Sequence, residues 1–181
     1  MRKNVTFKIT VTDDDDGDKV LSEVKLPYDI VMQVVANLPD VASLSHFYKV
    51  AVEHPAPIVR EYLAAKDKIN EEIFNVLAKD ESITVLRSLC RSSPIKKFAD
   101  LDLLKKLIQM DSECANSIAN NYHEFEQIDP EEILTILLAS PDPSIRYALV
   151  NNWSISKKVA RSLVDDRDPQ VANEALSRLE N

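Results

Sequence analysis

The side chains with the clearest spacing for chemistry lie in an acidic segment near the N-terminus. Asp14, Asp16, Asp18 and Glu23 fall on positions three, five, seven and twelve of a calcium-loop template, and Gly17 falls on position six. Carboxylates at that spacing can surround a hard cation with oxygen ligands. A threonine stands where the first carboxylate belongs, however, and the flanking residues alternate like strands instead of helices. The segment is therefore predicted to be a solvated acidic hairpin loop, with calcium binding as the alternative.

The histidines and cysteines form no catalytic or zinc-binding pattern. His46, His54 and His123 are far apart in the sequence, and none has a cysteine or a second histidine at ligand spacing. Cys90 and Cys114 lie in apolar helical patterns, which predicts buried, reduced thiols. No serine or cysteine nucleophile can be paired with a histidine from the sequence. We therefore expect no enzymatic activity, no metal and no cofactor.

Composition narrows the class of partner. The single glycine, Gly17, excludes glycine-rich phosphate loops and nucleophile elbows. The 22 basic and 30 acidic residues give a net charge of -8, which disfavours nucleic acid and anionic membranes. The expected partner is another protein, and a basic one fits best. With no hydrophobic run that could serve as a signal peptide or membrane span, we expect a cytoplasmic protein. The oligomeric state is left open.

The elements that would position a binding surface change from strand to helix along the chain. Val5, Phe7, Ile9 and Val11 alternate with polar residues, which predicts a strand with one buried face, and a second extended run follows. This hairpin is expected to occupy residues 1–26 and to pack on the helices after it. Capping helices are predicted for 27–55 and helical repeats for 56–181, within one continuous domain.

The helical region repeats. The segment from Ser117 to Tyr122 returns thirty-one residues later as the segment from Ala148 to Trp153. Five units align on an apolar residue just inside a short helix, and in four of them an aspartate stands three residues earlier, where it can cap the helix. The alignment uses Val59, Ile83, Cys114, Ile145 and Val171, with the aspartates Asp80, Asp111, Asp142 and Asp168.

Paired asparagines end two of these units. Asparagine is second to glycine in the left-handed conformation that terminates helices, so we interpret the pairs mainly as helix ends. Tyr122 and Trp153 follow directly after the pairs. We expect them to fill the gaps between successive repeats, with exposed anchoring of a partner as the alternative.

The segment from Asp142 to Asn151, with Asp-Pro, then an apolar residue and arginine, then alanine, leucine and asparagine, resembles HEAT-like repeats of the leucine-rich-repeat-variant type. The resemblance covers about residues 55–181. It implies a mainly α fold, a right-handed α-solenoid that serves as a protein-binding scaffold. It also implies that Arg60 and Arg146 pair with aspartates of neighbouring repeats. The iron-sulfur cluster of some such proteins is not expected, because residues 1–55 contain no cysteine.

The function that these observations favour is a non-catalytic adaptor or inhibitor, an immunity-type protein for example, that binds its partner on the concave solenoid face. Local basic and acidic segments are interpreted mainly as solvated faces and helix-end charges, with a docking face of two signs as the alternative. The alternative from another class is a HEAT-like DNA alkylpurine glycosylase, with Trp153 beside Asp165, Asp166 or Asp168. Dimerisation through a hairpin edge is a third hypothesis. The residues proposed to contact a partner are Arg87, Arg91, Tyr122, Arg146 and Trp153.

Overall fold

A computed structural model describes residues 6–13, 19–39 and 44–180. These residues form twelve α-helices and one two-stranded antiparallel sheet, so the mainly helical class is confirmed. The chain divides into two compact units, Met1–Pro94 and Ile95–Asn181. The prediction of one continuous domain stays a prediction.

The first unit begins with the hairpin. Strands β1 (Lys8–Asp13) and β2 (Lys19–Lys25) pair antiparallel with Ile9 opposite Val24. The register shifts after Val11, so Leu21 bulges out of the ladder. The apolar residues of the hairpin remain more than half exposed, namely Ile9, Val11, Val20, Leu21 and Val24. The predicted buried face is therefore wrong for Ile9 and Val11, and Val5 lies outside the described residues.

Contact between the hairpin and the helices occurs at Phe7. Its ring centroid lies 5.1 Å from that of Phe47 and 5.9 Å from that of His54. The Phe7 carbonyl also accepts a hydrogen bond from the Leu26 amide, which closes the base of the hairpin. The expected packing on the following helices is confirmed at this end of the hairpin.

The helices of the first unit are α1 (Tyr28–Asn37), α2 (Ser45–Ala51), α3 (Pro57–Ala64), α4 (Glu71–Leu77) and α5 (Ile83–Arg91). Helix α3 contacts α1 on one side and α5 on the other. Helix α4 contacts both α3 and α5. Helix α6 (Ser93–Phe98) follows at the boundary between the units.

The second unit contains α7 (Leu101–Met110), α8 (Ser112–Asn121), a 3-10 turn (Tyr122–Glu124), α9 (Pro130–Leu138), α10 (Pro143–Asn151), α11 (Lys157–Ser162) and α12 (Pro169–Glu180). Helix α10 lies between α8 and α12 and contacts both. Helix α7 contacts α8 and α9, and α11 packs on α12. Alternate helices thus form a row that consists of α8, α10 and α12. The helices between them form a second layer, and this layer buries the apolar face of the row.

Four helices bury the same positions. In α3, α5, α8 and α10 the third, fourth, seventh and eighth residues are buried. In α5 the third residue is Val85, which is fully buried, whereas Ile83 is only half-buried. The alignment on Ile83 was therefore wrong by two residues. The other four anchors, Val59, Cys114, Ile145 and Val171, are third in their helices and buried, as the alignment predicts.

Candidate functional site

Two buried arginine-aspartate pairs have the same geometry. In the first unit, Arg60 donates from Nε to Asp80 Oδ2 at 2.7 Å and from Nη2 to Asp80 Oδ1 at 3.1 Å. Its Nη1 donates to the His54 carbonyl at 2.6 Å. Asp80 Oδ1 also accepts the Ser82 amide proton. Asp80 is thus held by an arginine twenty residues earlier. It does not cap α5, contrary to the prediction, because Ser82 occupies the N-cap position of that helix.

The second unit repeats this arrangement. Arg146 donates from Nε to Asp166 Oδ2 at 2.6 Å and from Nη2 to Asp166 Oδ1 at 2.7 Å, again across twenty residues. Its Nη1 donates to the Ser140 carbonyl, and Asp166 accepts the Asp168 amide proton. The hydrogen bonds from Arg146 lower the pKa of Asp166 below its usual value, and the same bonds raise the pKa of Arg146.

These pairs change the interpretation of Arg146. Its side chain is 4% exposed, and each of its three nitrogens already donates to an acceptor of this chain. A buried guanidinium in that state presents no surface to another protein, so we withdraw Arg146 as a residue that contacts a partner. Its pairing with a nearby aspartate agrees with what the sequence resemblance implies for Arg60 and Arg146.

The paired asparagines do not adopt the conformation expected from the sequence. Asn121 has φ of -125° and Asn152 has φ of -64°, so neither is left-handed. Asn152 is buried, and its side-chain amide donates to the carbonyls of Ala119 at 3.1 Å and Asn120 at 2.8 Å. The second asparagine of that pair therefore joins the end of α10 to the end of α8, which satisfies carbonyls that a helix terminus leaves open.

The first asparagine of each pair has a different environment. Asn120 and Asn151 are exposed and line a groove of about 520 Å³ along α8 and α10. We name this groove the amide groove and define it by Asn116, Asn120, Tyr147, Ala148, Asn151 and Gln170. Asp168 also lines the groove, and its Oδ1 accepts the amide protons of Gln170 and Val171 and so caps α12. The lining of the groove is about equally polar and apolar and is mostly uncharged.

Asn116 also lines the groove, but its side-chain oxygen is not open to it. The Oδ1 atom is buried and has no hydrogen-bond partner among the described residues. A buried acceptor without a partner destabilises a fold by about 1 to 3 kcal/mol. The sequence contained a signal for this site, because Asn116 and Tyr147 each stand two residues after a buried anchor, and Asn120 and Asn151 six residues after it.

The aromatic residues after the asparagine pairs diverge. Tyr122 is buried. Its burial is the larger cause that raises the pKa of its hydroxyl, and the negative charge of Glu131 raises this pKa further. Trp153 is 82% exposed, with its ring centroid 6.2 Å from that of His123. The burial that a gap-filling ring requires is thus found for Tyr122, whereas the prediction that the ring fills a gap is wrong for Trp153. A large exposed aromatic ring is a favourable anchor for a partner, whereas the buried Tyr122 presents little surface to one.

One serine-histidine contact was not foreseen from the sequence. Ser154 Oγ lies 3.1 Å from His123 Nδ1. The Ser154 hydroxyl donates its proton to Asn152 Oδ1 at 2.8 Å, so here it accepts from the histidine. Activation of a serine nucleophile requires the opposite direction of donation. The contact therefore orders the loop after α10.

A second cleft of about 570 Å³ is more apolar and lies along the end of α7, along α9 and at the start of α10. Ile108, Ile136, Ala139 and Ile145 contribute to its lining. Met110 stands at this cleft and is 46% exposed. The cleft offers apolar contact without the convergent amides of the amide groove.

The other predicted site residues that the structure describes do not line the amide groove. Arg87 is half-buried and Arg91 exposed, both on α5 of the first unit. Asp14, Asp16 and Asp18 lie outside the described residues, and Glu23 forms an ion pair with Lys8. No group of three or more His, Cys, Asp or Glu side chains in residues 6–13, 19–39 and 44–180 could hold a metal ion. Cys90 and Cys114 are buried and form no disulfide, as predicted.

Two of the carboxylates assigned to the glycosylase alternative have structural partners. Asp166 is held by Arg146, and Asp168 caps α12. Asp165 is exposed. Across the described ranges, no helix is long and apolar enough to cross a membrane.

Comparison of the chain with known protein families, curated proteins and solved structures returned no match.

Proposed function

We propose that this protein is a non-catalytic scaffold that binds another protein through the amide groove. The observation that carries the proposal is the exposed asparagine at the end of each of α8 and α10, Asn120 and Asn151, which line one groove together with Gln170. Side chains that face solvent on a row of helices do not pack in the core, so they are available to contact a partner. Three amide groups converging on one groove therefore favour recognition of a partner rich in hydrogen-bonding groups.

We further propose that the helical region is a short right-handed α-solenoid. In support, alternate helices contact one another within each unit, and four helices bury the same positions. The two arginine-aspartate pairs join successive members of these rows, α3 toward α5 and α10 toward α12. A solenoid presents one face of each row along its length, which suits binding to an extended surface.

Charge favours a basic partner. The net charge of -8 steers positively charged proteins toward the molecule, and none of the described residues that line the amide groove is a lysine or arginine. Trp153 supplies an exposed aromatic ring near the end of α10, which is the residue type that most often anchors an interface. An adaptor or an inhibitor that covers a basic protein satisfies both properties.

Quantitative affinity capture tests the proposal. Wild-type protein and the variant Asn120→Ala/Asn151→Ala are immobilised, and proteins captured from lysate of the cells that express the chain are compared by isotope-labelled mass spectrometry. Asn75→Ala on α4 is the matched control, since Asn75 is an exposed helix asparagine outside the groove. We expect at least one protein that the wild type and the control retain equally and the groove variant loses.

A capture profile that is identical for all three proteins would contradict the proposal. The glycosylase alternative predicts a different result, namely retention of double-stranded DNA that weakens steeply with salt and is lost in Trp153→Ala. The same immobilised proteins can be tested with DNA at several salt concentrations. Such retention would replace the proposed function.

A further inference from the structure

The amide groove has the chemistry of a site for polypeptide main chain. A carboxamide carries an acceptor oxygen and two donor hydrogens, and a peptide group carries one acceptor and one donor. Asn120 and Asn151 present such groups on adjacent helices, and Gln170 adds a third carboxamide to the same groove. Neutral amides can therefore bond to a peptide backbone whatever its sequence, because every residue except proline offers both groups.

The spacing along each helix supports an elongated ligand. Asn116 and Asn120 lie one turn apart on α8, and Tyr147 and Asn151 one turn apart on α10, so each pair faces the same side. Helix α10 has nine residues and is about 12 Å long between its end residues. An extended chain rises about 3.3 Å per residue, so the groove matches about four residues of extended peptide.

The lining also limits the side chains of that peptide. Ala148 is a small lining residue and leaves room for close approach of a backbone. Asp168 is the one charged residue among the described residues that line the groove. Its carboxylate favours a lysine or arginine in the ligand, in agreement with the acidic balance of the chain.

We propose that the amide groove binds an extended polypeptide segment of about four residues through its main chain, with a basic side chain next to Asp168. This inference rests on the proposed function and names the form that the partner takes in the groove. Asn120 and Asn151 would bond to the peptide backbone through their exposed side-chain amides.

The first experiment identifies a peptide. A phage-displayed library of random peptides is selected on the wild-type chain, with the Asn120→Ala/Asn151→Ala variant used for counter-selection. Enriched peptides are synthesised, and their Kd values are measured by fluorescence anisotropy. We expect each single Asn→Ala change to raise Kd by about 2- to 10-fold, as for one neutral hydrogen bond. Asn75→Ala and Met110→Ala should change Kd by less than about 2-fold.

The second experiment separates main-chain from side-chain recognition. Each amide of an enriched peptide is N-methylated in turn, which removes one donor and keeps the side chains. We expect at least one methylation within the central residues to raise Kd by about 10-fold or more, since it also introduces a methyl group into the groove. Asn151→Leu keeps a similar size and removes the side-chain donor and acceptor without adding a charge, and it should weaken binding although the helix is intact by circular dichroism.

The outcomes separate this inference from the proposed function. If the library yields no groove-dependent peptide, or if N-methylation has no effect while side-chain changes do, main-chain recognition is wrong. The scaffold function still stands if affinity capture depends on Asn120 and Asn151, because a folded partner can use the same surface. Loss of groove dependence in both assays would overturn both.

Discussion

The buried pair of Arg146 and Asp166 allows a sharp test of how the second unit is held together. Asp166→Asn keeps the size of the side chain but removes the charge and one acceptor. In the wild type, Asp166 accepts two hydrogen bonds from Arg146 and one from the Asp168 amide. The asparagine oxygen can keep part of this set, and Arg146 keeps its bond to the Ser140 carbonyl. Its charge, however, would remain buried without a counter-ion.

Removing one member of a buried ion pair destabilises proteins by about 3 to 5 kcal/mol. Because Arg146 retains a carbonyl acceptor, we expect the lower end of that range, about 3 kcal/mol. The free energy of unfolding is measured by urea titration with far-UV circular dichroism, and hydrogen exchange locates the loss in residues 95–181. Asp165→Asn is the matched control, since Asp165 is exposed and adjacent, and it should change the unfolding free energy by less than about 0.5 kcal/mol.

The pH dependence adds an independent check. Arg146 lowers the pKa of Asp166, so the charged carboxylate stabilises the folded state fully above the unfolded pKa of about 3.9. That contribution is lost as pH falls through the lowered folded pKa. The difference between wild type and Asp166→Asn should therefore be constant near neutral pH and shrink below about pH 4. A change under about 1 kcal/mol at neutral pH, or a difference that does not shrink in acid, would refute this account of the pair.

Three further predictions address other parts of the chain. Asn152→Ala should lower the free energy of unfolding by about 2 kcal/mol in urea, because two buried carbonyls lose their donor, and an unchanged midpoint would contradict this role. His54→Asn should flatten the fall in melting temperature below about pH 6.5, because burial, helped by the Arg60 charge, lowers the pKa of His54 and protonation then favours unfolding. Equal slopes for both proteins would exclude His54 as the cause. Trp153→Ala should leave the unfolding free energy within about 0.5 kcal/mol while reducing partner capture, whereas a large loss of stability would give Trp153 a packing role.

Local signals in the sequence located the starts of α3, α8, α10 and α12. Proline at the first helical position precedes the buried anchor in α3, α10 and α12, and Asp111 and Asp142 cap their helices through side-chain oxygens as predicted. These features act within one turn of the chain, so they can be recognised without knowledge of the rest of the fold. The mainly helical class followed from them.

The errors arose where a residue type serves two purposes. Asp80 stands where a capping aspartate was expected, yet it pairs with Arg60, and the difference depends on a contact across twenty residues. The hairpin shows the same limit. Alternation in β1 correctly predicted a strand, but alternation does not determine what covers its apolar face, and Ile9 and Val11 remain exposed. Sequence periodicity reports a preference for burial, whereas burial itself depends on the neighbouring elements.

The asparagine pairs show how this ambiguity bears on function. Asn151 and Asn152 are identical in type and adjacent, so no local rule assigns them different roles. Their side chains differ because Asn151 is the last residue of α10, whereas Asn152 follows the helix with an extended backbone and donates to carbonyls at the end of α8. In this pair a bond between two helices therefore stands next to an exposed amide, whereas Asn121 of the first pair donates to the Ser117 carbonyl within α8. The bond at Asn152 helps to set the spacing between α8 and α10. Since Asn120 and Asn151 lie at the ends of these two helices, the same bond also helps to set the distance between their amides and thus the width of the amide groove.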